Sequence, residues 1–314
     1  MIIKPGDRIR DNTIIRSLGS GGFGLVFEVS NPNQANSIAL KICNDNASSE
    51  DLDRFLQENT ILRRLHSPIK HEHIVFPLSE NESENLYHYY LMELSEYNLE
   101  GFINTCFNLS VNQKLVLFKE ICDGLKHAHN KGVVHRDLWW NNVLINQGPA
   151  PVVKLCDFGR AKDYSLEPLS YLDHPCLGHV NIRPPELFFH IHDDTDSDIS
   201  RRGDLYALGI LLSFLFNGYP TSYWPFLYGG IGTFLSQTNN TDIGNKTIDE
   251  RKEIYRNWVA QAASHTYTNL HISLVDYDLT KSLNIIIEKL CNIDYSLRYG
   301  TVDEVEVCIE SLIT

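Results

Sequence analysis

Two aspartates and an asparagine lie around a short apolar hairpin in the middle of this 314-residue sequence. Asp137 and Asn142 precede an apolar run at 143–145, a Gly/Pro turn follows, and Asp157 comes after the returning run at 152–156. Because a hairpin brings its two ends side by side, we expect these three polar side chains to meet. Two carboxylates and an amide form a hard oxygen-ligand set that suits Mg²⁺ and phosphate. One acid would orient a hydroxyl while the other, with the amide, holds the metal.

The residues on either side of the hairpin form two longer motifs. Residues 135–142 read HRDLWWNN, and residues 157–159 read DFG. Together they resemble the HRDxxxxN catalytic loop and the DFG motif of the eukaryotic-type (Hanks-type) protein kinase family. The resemblance implies transfer of the γ-phosphoryl group of ATP to a hydroxyl, with Asp137 orienting that hydroxyl or accepting its proton. It assigns the metal ions, Mg²⁺ or Mn²⁺, to Asn142 and Asp157.

A glycine-rich turn near the N-terminus extends the resemblance. Residues 12–29 read as strand, glycine turn and strand. Glycine suits a phosphate site because a backbone without Cβ can approach closely and offer its N–H groups. A dinucleotide-binding turn would look similar, but it needs a helix next, whereas residues 25–29 continue as a strand. The turn fits GxGxxGxV, and the resemblance places ATP against Gly19, Gly21, Gly22, Gly24 and Val26.

Two charged residues follow this turn. Lys41 interrupts the alternating apolar strand SIALKIC and shares a face with Ala39. By resemblance to the family's VAIK strand, Lys41 reaches the α- and β-phosphates of ATP while Ala39 covers adenine. Residues 49–65 have the apolar period of a helix, and Glu58 on it resembles the family's helix-C glutamate, the partner of Lys41. Alternatively, Glu58 lies exposed on the helix surface beside Arg54.

Two strands and a hinge are predicted before the chain becomes helical. HIVFPL at 73–78 and LYHYYLMEL at 86–94 read as strands, with a polar, acidic turn between them at 79–85. The hinge of the kinase family reads adenine through its backbone. The resemblance assigns nucleotide contacts to Met92 at the gatekeeper position, to Glu93 and Ser95 of the hinge, and to Leu144 on the central hairpin.

The C-terminal half carries three more kinase-like features. A long apolar face at 111–130 predicts a helix that leads into the catalytic loop. The activation segment, 157–186, ends in PPE, which is similar to the family's APE. Asp204 and Gly209 resemble the DxxxxG helix, and DYSLR resembles DPxxR, with Arg298 the expected buried partner of Glu186. Before DYSLR, the aromatic, glycine-rich stretch TSYWPFLYGGIGTF is predicted to be core and loop, and a partner site is the alternative.

The acceptor side of the site departs from the family pattern. Trp139 stands where Ser/Thr kinases usually place lysine, Asn141 where tyrosine kinases place arginine, and His179 where the family has threonine. These changes favour a rebuilt acceptor pocket, and weakened catalysis is the alternative. Trp139 and Trp140 have two open interpretations: an aromatic shelf for a substrate, or packing of the catalytic loop against the activation segment.

Composition limits the partners and the compartment. A net charge of −13 argues against nucleic acid, because phosphate backbones bind clustered Lys and Arg. Seven dispersed cysteines indicate reduced thiols in a cytosol-like compartment rather than a disulfide framework. No apolar run reaches membrane-spanning length, and the N-terminus lacks the pattern of a signal peptide. We therefore expect no membrane insertion and a cytoplasmic location, in the protein's own cell or in a host cell after delivery.

The expected fold is α+β: a two-lobed protein-kinase fold with a small antiparallel-sheet N-lobe carrying one helix, and a mainly α-helical C-lobe. We expect one protein kinase domain over 1–314, with the N-lobe at 1–94 and the hinge and C-lobe at 95–314.

The expected function is an ATP- and Mg²⁺-dependent kinase, Ser/Thr by type, that acts on a protein substrate and is controlled by its activation segment or by a regulatory partner. Arg136 could pair with a phosphate on that segment. The alternatives are an ATP-binding pseudokinase scaffold and a kinase of a non-protein hydroxyl substrate. Candidate self-phosphorylation sites are Tyr164, Ser165, Ser170 and Tyr171.

Overall fold

The computed structural model describes residues 3–21, 23–45, 47–84, 87–105, 109–146, 150–165, 182–191, 197–218, 223–262 and 270–313, with the backbone alone at 223–229. Its strands are β1 (Arg8–Ile9), β2 (Asn12–Ser20), β3 (Gly24–Ser30), β4 (Ile38–Cys43), β5 (Glu82–Glu84), β6 (Tyr87–Met92), β7 (Tyr97–Asn98), β8 (Val133–Val134), β9 (Val143–Asn146), β10 (Val152–Leu155) and β11 (Lys162–Asp163). Its helices are α1 (Ser49–Leu65), α2 (Leu99–Thr105), α3 (Val111–Asn130), α4 (Pro185–Phe188), α5 (Ser197–Asn217), α6 (Tyr223–Gln237), α7 (Ile248–Gln261), α8 (Tyr277–Leu290) and α9 (Val302–Glu310).

The N-terminal strands form one antiparallel sheet in the order β1-β2-β3-β4-β6-β5. β4 lies inside this sheet, and all its residues are buried, as its nearly apolar sequence IALKIC requires. The register places Val26 on one side of Lys41 and Tyr90 on the other. The sheet therefore holds the lysine on an interior strand, next to the strand that follows the glycine-rich turn.

Helix α1 spans the residues at which the sequence predicts it, 49–65. It begins with a capping box, in which the Ser48 hydroxyl accepts the Asp51 N–H and the Asp51 carboxylate accepts the Ser48 N–H. Its buried face includes Phe55, and Glu58 lies there with 1% of its surface exposed. The alternative that Glu58 is an exposed surface residue is therefore excluded.

Two local predictions between α1 and β6 are wrong. The sequence predicts a strand at 73–78, but the structure has only isolated bridges there, at Ile74 and Pro77. Proline lacks the backbone N–H that a strand ladder requires. The acidic segment after it, predicted as a turn, contains β5, where Glu82 binds Arg10. β5 is an edge strand, and edge strands tolerate charged side chains because they meet water.

The rest of the described chain is mainly helical and surrounds the central hairpin. β9 and β10 pair in antiparallel register as predicted, with Ile145 opposite Val153. Helix α3 has the bounds that its apolar period predicts, and it packs against β10. Helix α5 is mostly buried and packs against α3 and α8. This arrangement fixes the hairpin whose two ends carry the candidate catalytic residues.

The aromatic stretch that the sequence predicts to be core and loop contains a helix, α6, and α7 follows after a short 3₁₀ turn. Ile231 and Phe234 of α6 are buried, as are Tyr255 and Trp258 of α7. The expectation of core is therefore correct for Ile231 and Phe234, and the expectation of a loop is wrong where α6 forms. Proline and glycine within α6 weaken its helical signal in the sequence.

The structure describes five of the seven cysteines. Among the residues that the structure describes, the free cysteines are Cys43, Cys122 and Cys291, which are buried, and Cys156 and Cys308, which are partly buried. Across the same parts of the chain, no helix has both the length and the apolarity needed to cross a bilayer.

Candidate active site

A cleft of about 680 Å³ collects nearly all the predicted site residues. Its volume lies within the range of small-molecule pockets, about 300–1,000 Å³. Of the predicted residues, those that line it are Gly19, Gly21, Val26, Ala39, Lys41, Glu58, Met92, Glu93, Ser95, Asp137, Asn142, Leu144 and Asp157. Gly24 does not line the cleft, and Gly22 lies outside the described residues.

Lys41, Glu58 and Asp157 form a buried charge cluster in this cleft. The Lys41 Nζ lies 2.8 and 2.6 Å from the two Glu58 carboxylate oxygens and 2.9 Å from Asp157 Oδ1. Burial opposes the Lys41 charge, but Asp157 and Glu58 outweigh it and raise the pKa of the ammonium group well above its usual value. Burial also opposes the Asp157 charge, yet Lys41 holds the pKa of this carboxyl below its usual value. At neutral pH the cluster therefore contains one ammonium group facing the Asp157 carboxylate.

Tyr90 belongs to the same cluster and was missed by the sequence analysis. It lies opposite Lys41 in the sheet register, is fully buried, and packs on Phe55 with ring centroids 5.4 Å apart. Burial, followed by the negative charge of Glu58, raises the pKa of its phenol well above the usual value. The signal that could have found it is the alternation along β6, which puts Tyr90 on the same face as Met92.

Asp204 on α5 fixes the backbone of the catalytic loop. Its carboxylate accepts the N–H groups of His135 and Arg136, each at 2.8 Å, and lies 2.8 Å from His129 Nε2. Arg136 has a φ of 64°, a left-handed conformation that a non-glycine residue adopts only when its surroundings hold it. Burial opposes the charge of Asp204, but the hydrogen bond with His129 and the nearby His135 lower its pKa. Asp204 therefore acts as a buried anionic anchor.

The hairpin brings Asp137, Asn142 and Asp157 to one cleft, as its geometry predicts. The Asn142 amide donates to the Asp137 carbonyl oxygen at 2.8 Å and lies 3.4 Å from Asp137 Oδ2. Asp157 has left-handed backbone angles, φ 59° and ψ 66°, at the start of the short 3₁₀ turn Phe158–Arg160. These contacts hold two carboxylates and an amide oxygen in one place, which is the donor set that a hard cation prefers.

The glycine-rich turn closes over the carboxylate end of the cleft. The Gly21 N–H donates to the Gly24 carbonyl oxygen at 2.8 Å, and a Cβ on Gly21 would lie 3.6 Å from Asp157 Oδ2. Gly24 has a different role, since a Cβ there would collide with the Ile42 carbonyl oxygen of β4. Gly24 is therefore required for close strand packing, while Gly21 keeps the backbone near the carboxylates.

The hinge residues follow β6 directly and line the cleft. Met92 pairs with Ala39 across the sheet, so both predicted adenine contacts are neighbours. The Glu93 carboxylate is engaged elsewhere, 2.9 Å from Lys154 Nζ and accepting the Phe76 N–H at 2.8 Å. Only the backbone of Glu93 is therefore suited to a ligand. The buried Ser95 hydroxyl has no hydrogen-bond partner among the described residues.

The two tryptophans lie in different surroundings, and the predicted packing against the activation segment is not tested, because residues 166–181 lie outside the described part of the chain. Trp140 is buried, with 3% of its surface exposed, and stacks on Phe214 at 4.7 Å. Trp139 is half-buried, meets Trp140 edge-on at 5.6 Å, and lines the cleft together with Asn141. Trp140 therefore packs the loop against α5, while Trp139 is placed where a substrate could contact it.

Arg160 is a cleft residue that the sequence analysis did not identify. Its Nε lies 3.5 Å from Asp137 Oδ2, and its guanidinium covers the Phe23 ring at 5.4 Å from the centroid. Its position directly after the DFG triplet places it close to the cleft, but no sequence signal shows that its side chain reaches Asp137.

The start of the activation segment is described as far as residue 165, and residues 166–181, with His179, Ser170 and Tyr171, lie outside the described part of the chain. Within the described part, the Tyr164 hydroxyl accepts from Arg136 Nη2 at 3.3 Å and donates to Ser200 Oγ at 2.8 Å. Arg136, expected to pair with a phosphate, here contacts an unmodified tyrosine.

Comparison with solved structures identifies the fold. The chain superposes on the kinase domain of PknI from Mycobacterium tuberculosis over 100% of both chains, with a TM-score of 0.62 and 19% sequence identity. An antiparallel sheet lobe with one helix, joined to a helical lobe, is therefore the protein kinase fold, as predicted.

A family model described as the protein kinase domain matches residues 13–307. The chain therefore belongs to the protein kinase family. It is 28% identical over 221 residues to the serine/threonine-protein kinase TIO of Arabidopsis thaliana, covering 70% of this chain and 16% of that protein. It is 26% identical over 212 residues to the dual specificity protein kinase TTK of Mus musculus, covering 66% and 24%. It is 29% identical over 203 residues to the probable serine/threonine-protein kinase pknA2 of Bifidobacterium longum, covering 63% and 25%. The matches thus span a quarter or less of these three relatives.

Proposed function

We propose that this chain is an ATP- and Mg²⁺-dependent protein kinase that transfers the γ-phosphoryl group of ATP to a serine or threonine hydroxyl of a protein. The observation that supports this most is the buried Lys41–Glu58–Asp157 cluster, which shares one cleft with Asp137 and Asn142. Two of the relatives named above are serine/threonine-protein kinases and one is a dual specificity kinase, which supports a protein hydroxyl as the acceptor.

The oxygen donors of the cleft fit a Mg²⁺ ion that is bound partly by the protein and partly by the phosphates of ATP. Within the described residues, no group of three His, Cys, Asp or Glu side chains could hold a metal alone. Asp157 and Asn142 offer two hard oxygen donors, and Mg²⁺ is commonly bound by one or two protein oxygens together with substrate phosphates. When bound, the ion would neutralise phosphate charge.

Each side chain has a distinct role in this proposal. Lys41 binds the α- and β-phosphates, and Glu58 holds Lys41 in position. Asp137 orients the acceptor hydroxyl and takes its proton. The backbones of the glycine-rich turn and of the hinge bind phosphate and adenine, with apolar contacts to adenine from Val26, Ala39, Met92 and Leu144.

The organisation and regulation of the chain are part of the proposal. We assign the kinase domain to 1–314, with the N-lobe at 1–94 and the hinge and C-lobe at 95–314. We expect self-phosphorylation within the activation segment, a protein substrate, control by that segment or by a regulatory partner, and a cytoplasmic location. The described residues Tyr164 and Ser165 are candidate acceptors.

The test is phosphosite mass spectrometry on phosphatase-treated protein before and after addition of Mg-ATP, with Asp157→Asn as the inactive control. New phosphate on the wild type alone supports the proposal, and the acceptor residue type distinguishes Ser/Thr from Tyr. A generic protein substrate is assayed in parallel, so that transfer without self-phosphorylation is still detected. If the wild type modifies neither itself nor that substrate, the proposal fails, and the scaffold and non-protein-substrate alternatives gain support.

A further inference from the structure

Arg160 is the positive side chain that lies beside the proposed base, Asp137. Among the described residues that line the cleft, the positive side chains belong to Arg16, Lys41 and Arg160. Lys41 is enclosed by Glu58 and Asp157, and Arg16 binds Glu28 with 61% of its side chain exposed. Arg160 instead lies 3.5 Å from Asp137 Oδ2. The neighbouring cleft residues Trp139 and Asn141 carry no charge.

The backbone and Phe23 hold Arg160 in this position. It ends the 3₁₀ turn that begins after Asp157, and the Ala161 N–H closes this turn on the Phe158 carbonyl oxygen at 3.0 Å. Phe23 lies in the glycine-rich turn and has 8% of its surface exposed. Its ring contacts the Arg160 guanidinium, which lies 5.4 Å from the ring centroid. A Cβ on Gly159 would lie 2.7 Å from Phe23 Cδ2, so the glycine-rich turn packs directly on the 3₁₀ turn that ends at Arg160.

The position of Arg160 is suited to a phosphoryl group that approaches Asp137 during the transfer. The guanidinium is partly exposed, at 28% of its side-chain surface, and its separation from Asp137 is longer than a strong ion pair. The exposed part of the guanidinium can therefore contact an anion that enters the cleft. A planar guanidinium also offers several N–H donors in a fixed geometry that matches phosphoryl oxygens.

We propose that Arg160 is a catalytic residue that binds the transferring phosphoryl group next to Asp137. This inference rests on the kinase function proposed above. In the transfer, the acceptor oxygen forms a bond to the γ-phosphorus as the bond from that phosphorus to the β–γ bridging oxygen breaks. The electron pair leaves with ADP, and the hydroxyl proton passes to Asp137. Arg160 donates N–H groups to the phosphoryl oxygens and is itself unchanged.

The test compares Arg160→Gln, which removes the charge, with Arg160→Lys, which keeps it, and with Arg63→Gln as a matched control. Arg63 forms a surface ion pair with Glu80 and does not line the cleft. The melting temperature of each variant checks that it folds. Two measurements follow: steady-state kcat and KM for ATP, and the gain in Mg-ADP affinity on adding aluminium fluoride, which mimics the transferring phosphoryl group.

We expect Arg160→Gln to lower kcat about 100- to 1,000-fold, the loss seen when one preorganised donor is removed from a charged transition state. KM for ATP should change less than kcat, because the phosphoryl group comes nearest to Arg160 as it moves toward the acceptor at Asp137. The fluoride-dependent affinity gain should disappear in Arg160→Gln, return in part in Arg160→Lys and persist in Arg63→Gln.

The inference is overturned if Arg160→Gln keeps the fluoride-dependent gain, or if its kcat stays within about twofold of the wild type. Absence of phosphoryl transfer in the wild type would instead contradict the proposed kinase function. In that case the fluoride-dependent gain in Mg-ADP affinity alone decides whether Arg160 binds the phosphoryl group. A wild type that shows no such gain also overturns the inference.

Discussion

Arg298 and Glu186 form a fully buried, bidentate ion pair between positions 112 residues apart in the sequence. Arg298 Nη1 lies 2.7 Å from Glu186 Oε1, and Nη2 lies 2.8 Å from Oε2. Burial opposes the charge of Arg298, but Glu186 outweighs it and raises the pKa of the guanidinium. The pair links α4, at the end of the activation segment, to the 3₁₀ turn before α9, as the sequence predicts.

Glu186→Gln should destabilise the protein strongly, because it leaves the Arg298 charge buried without its counter-charge. The expected loss in the free energy of unfolding is about 3–5 kcal/mol, measured by urea denaturation. The control is Asp198→Asn, which breaks a surface pair with Arg202 and should cost less than about 1 kcal/mol. Equal losses in the two variants would show that the buried pair contributes no more than a surface pair.

Elements with a local signal could be predicted from the sequence. Helices α1 and α3 keep their predicted bounds, because apolar periodicity and the capping serines Ser48 and Ser110 are both visible in the sequence. The central hairpin also appears as predicted, because two apolar runs flank a Gly/Pro turn. The pairing of Lys41 with Glu58 followed from the family resemblance, since periodicity alone also allowed an exposed glutamate.

Features that depend on tertiary contacts could not be predicted. The approach of Arg160 to Asp137 depends on how the turn after Asp157 folds against the catalytic loop. Helix α6 forms although it contains proline and glycine, because burial of residues such as Ile231 and Phe234 outweighs weak local propensity. Edge strand β5 has an acidic sequence that does not indicate a strand. Its pairing with β6, rather than its composition, decides its conformation.

Gly209→Ala should destabilise the protein, whereas alanine usually stabilises a helix. Gly209 lies within α5, and an added Cβ would collide with Cys291 Sγ and lie 2.8 Å from Leu290 Cβ. Such overpacking typically costs about 1–3 kcal/mol, which exceeds the gain in helix propensity of about 1 kcal/mol. Gly203→Ala, in the same helix, is the matched control, because its Cβ would meet only Pro184 Cγ at 3.4 Å and Glu186 Oε1 at 3.9 Å. Thermal unfolding should separate the two variants, and a stabilised Gly209→Ala would contradict this packing.

Glu58→Gln should weaken the positioning of Lys41 without unfolding the protein, because Asp157 still faces the ammonium group. Losing a charged hydrogen-bond partner costs about 1.5–3 kcal/mol. We expect a higher KM for ATP and a lower kcat, measured by steady-state phosphorylation of a protein substrate. Glu50→Gln is the control on the same helix, since Glu50 forms an ion pair with Arg54 at 3.1 Å and does not line the cleft. Unchanged kinetics in Glu58→Gln would mean that Asp157 alone positions Lys41.

His71 should make the protein less stable in acid. Burial, followed by the neighbouring imidazoles of His127, His73 and His66, lowers the pKa of His71 from 6.5 to about 4, although Asp123 opposes this shift. The folded state therefore binds fewer protons than the unfolded state between these values. Stability from this group is complete above pH 6.5 and is lost as the pH falls through about 4.

The measurement for His71 is the melting temperature at pH 7 and pH 5. His71→Asn keeps an acceptor for the His73 N–H, which now bonds to His71 Nδ1 at 3.3 Å, but it cannot gain a proton. This variant should lose less melting temperature between the two pH values than the wild type. His88→Asn, in β6, is the control and should behave as the wild type does. Equal pH dependence in all three proteins would exclude His71 as the cause.

Tyr164→Phe should lower the activity of unphosphorylated protein by loosening the catalytic loop. The Tyr164 hydroxyl bonds to Arg136 and Ser200, and Arg136 adjoins Asp137 and holds strained backbone angles. One such hydrogen bond contributes about 1 kcal/mol, so we expect roughly a fivefold loss of kcat in phosphatase-treated protein. Tyr277→Phe, at a site with 75% of its surface exposed, is the control. Hydrogen exchange should rise at residues 135–137 in Tyr164→Phe alone, and unchanged exchange there would show that the tyrosine hydroxyl does not support the loop.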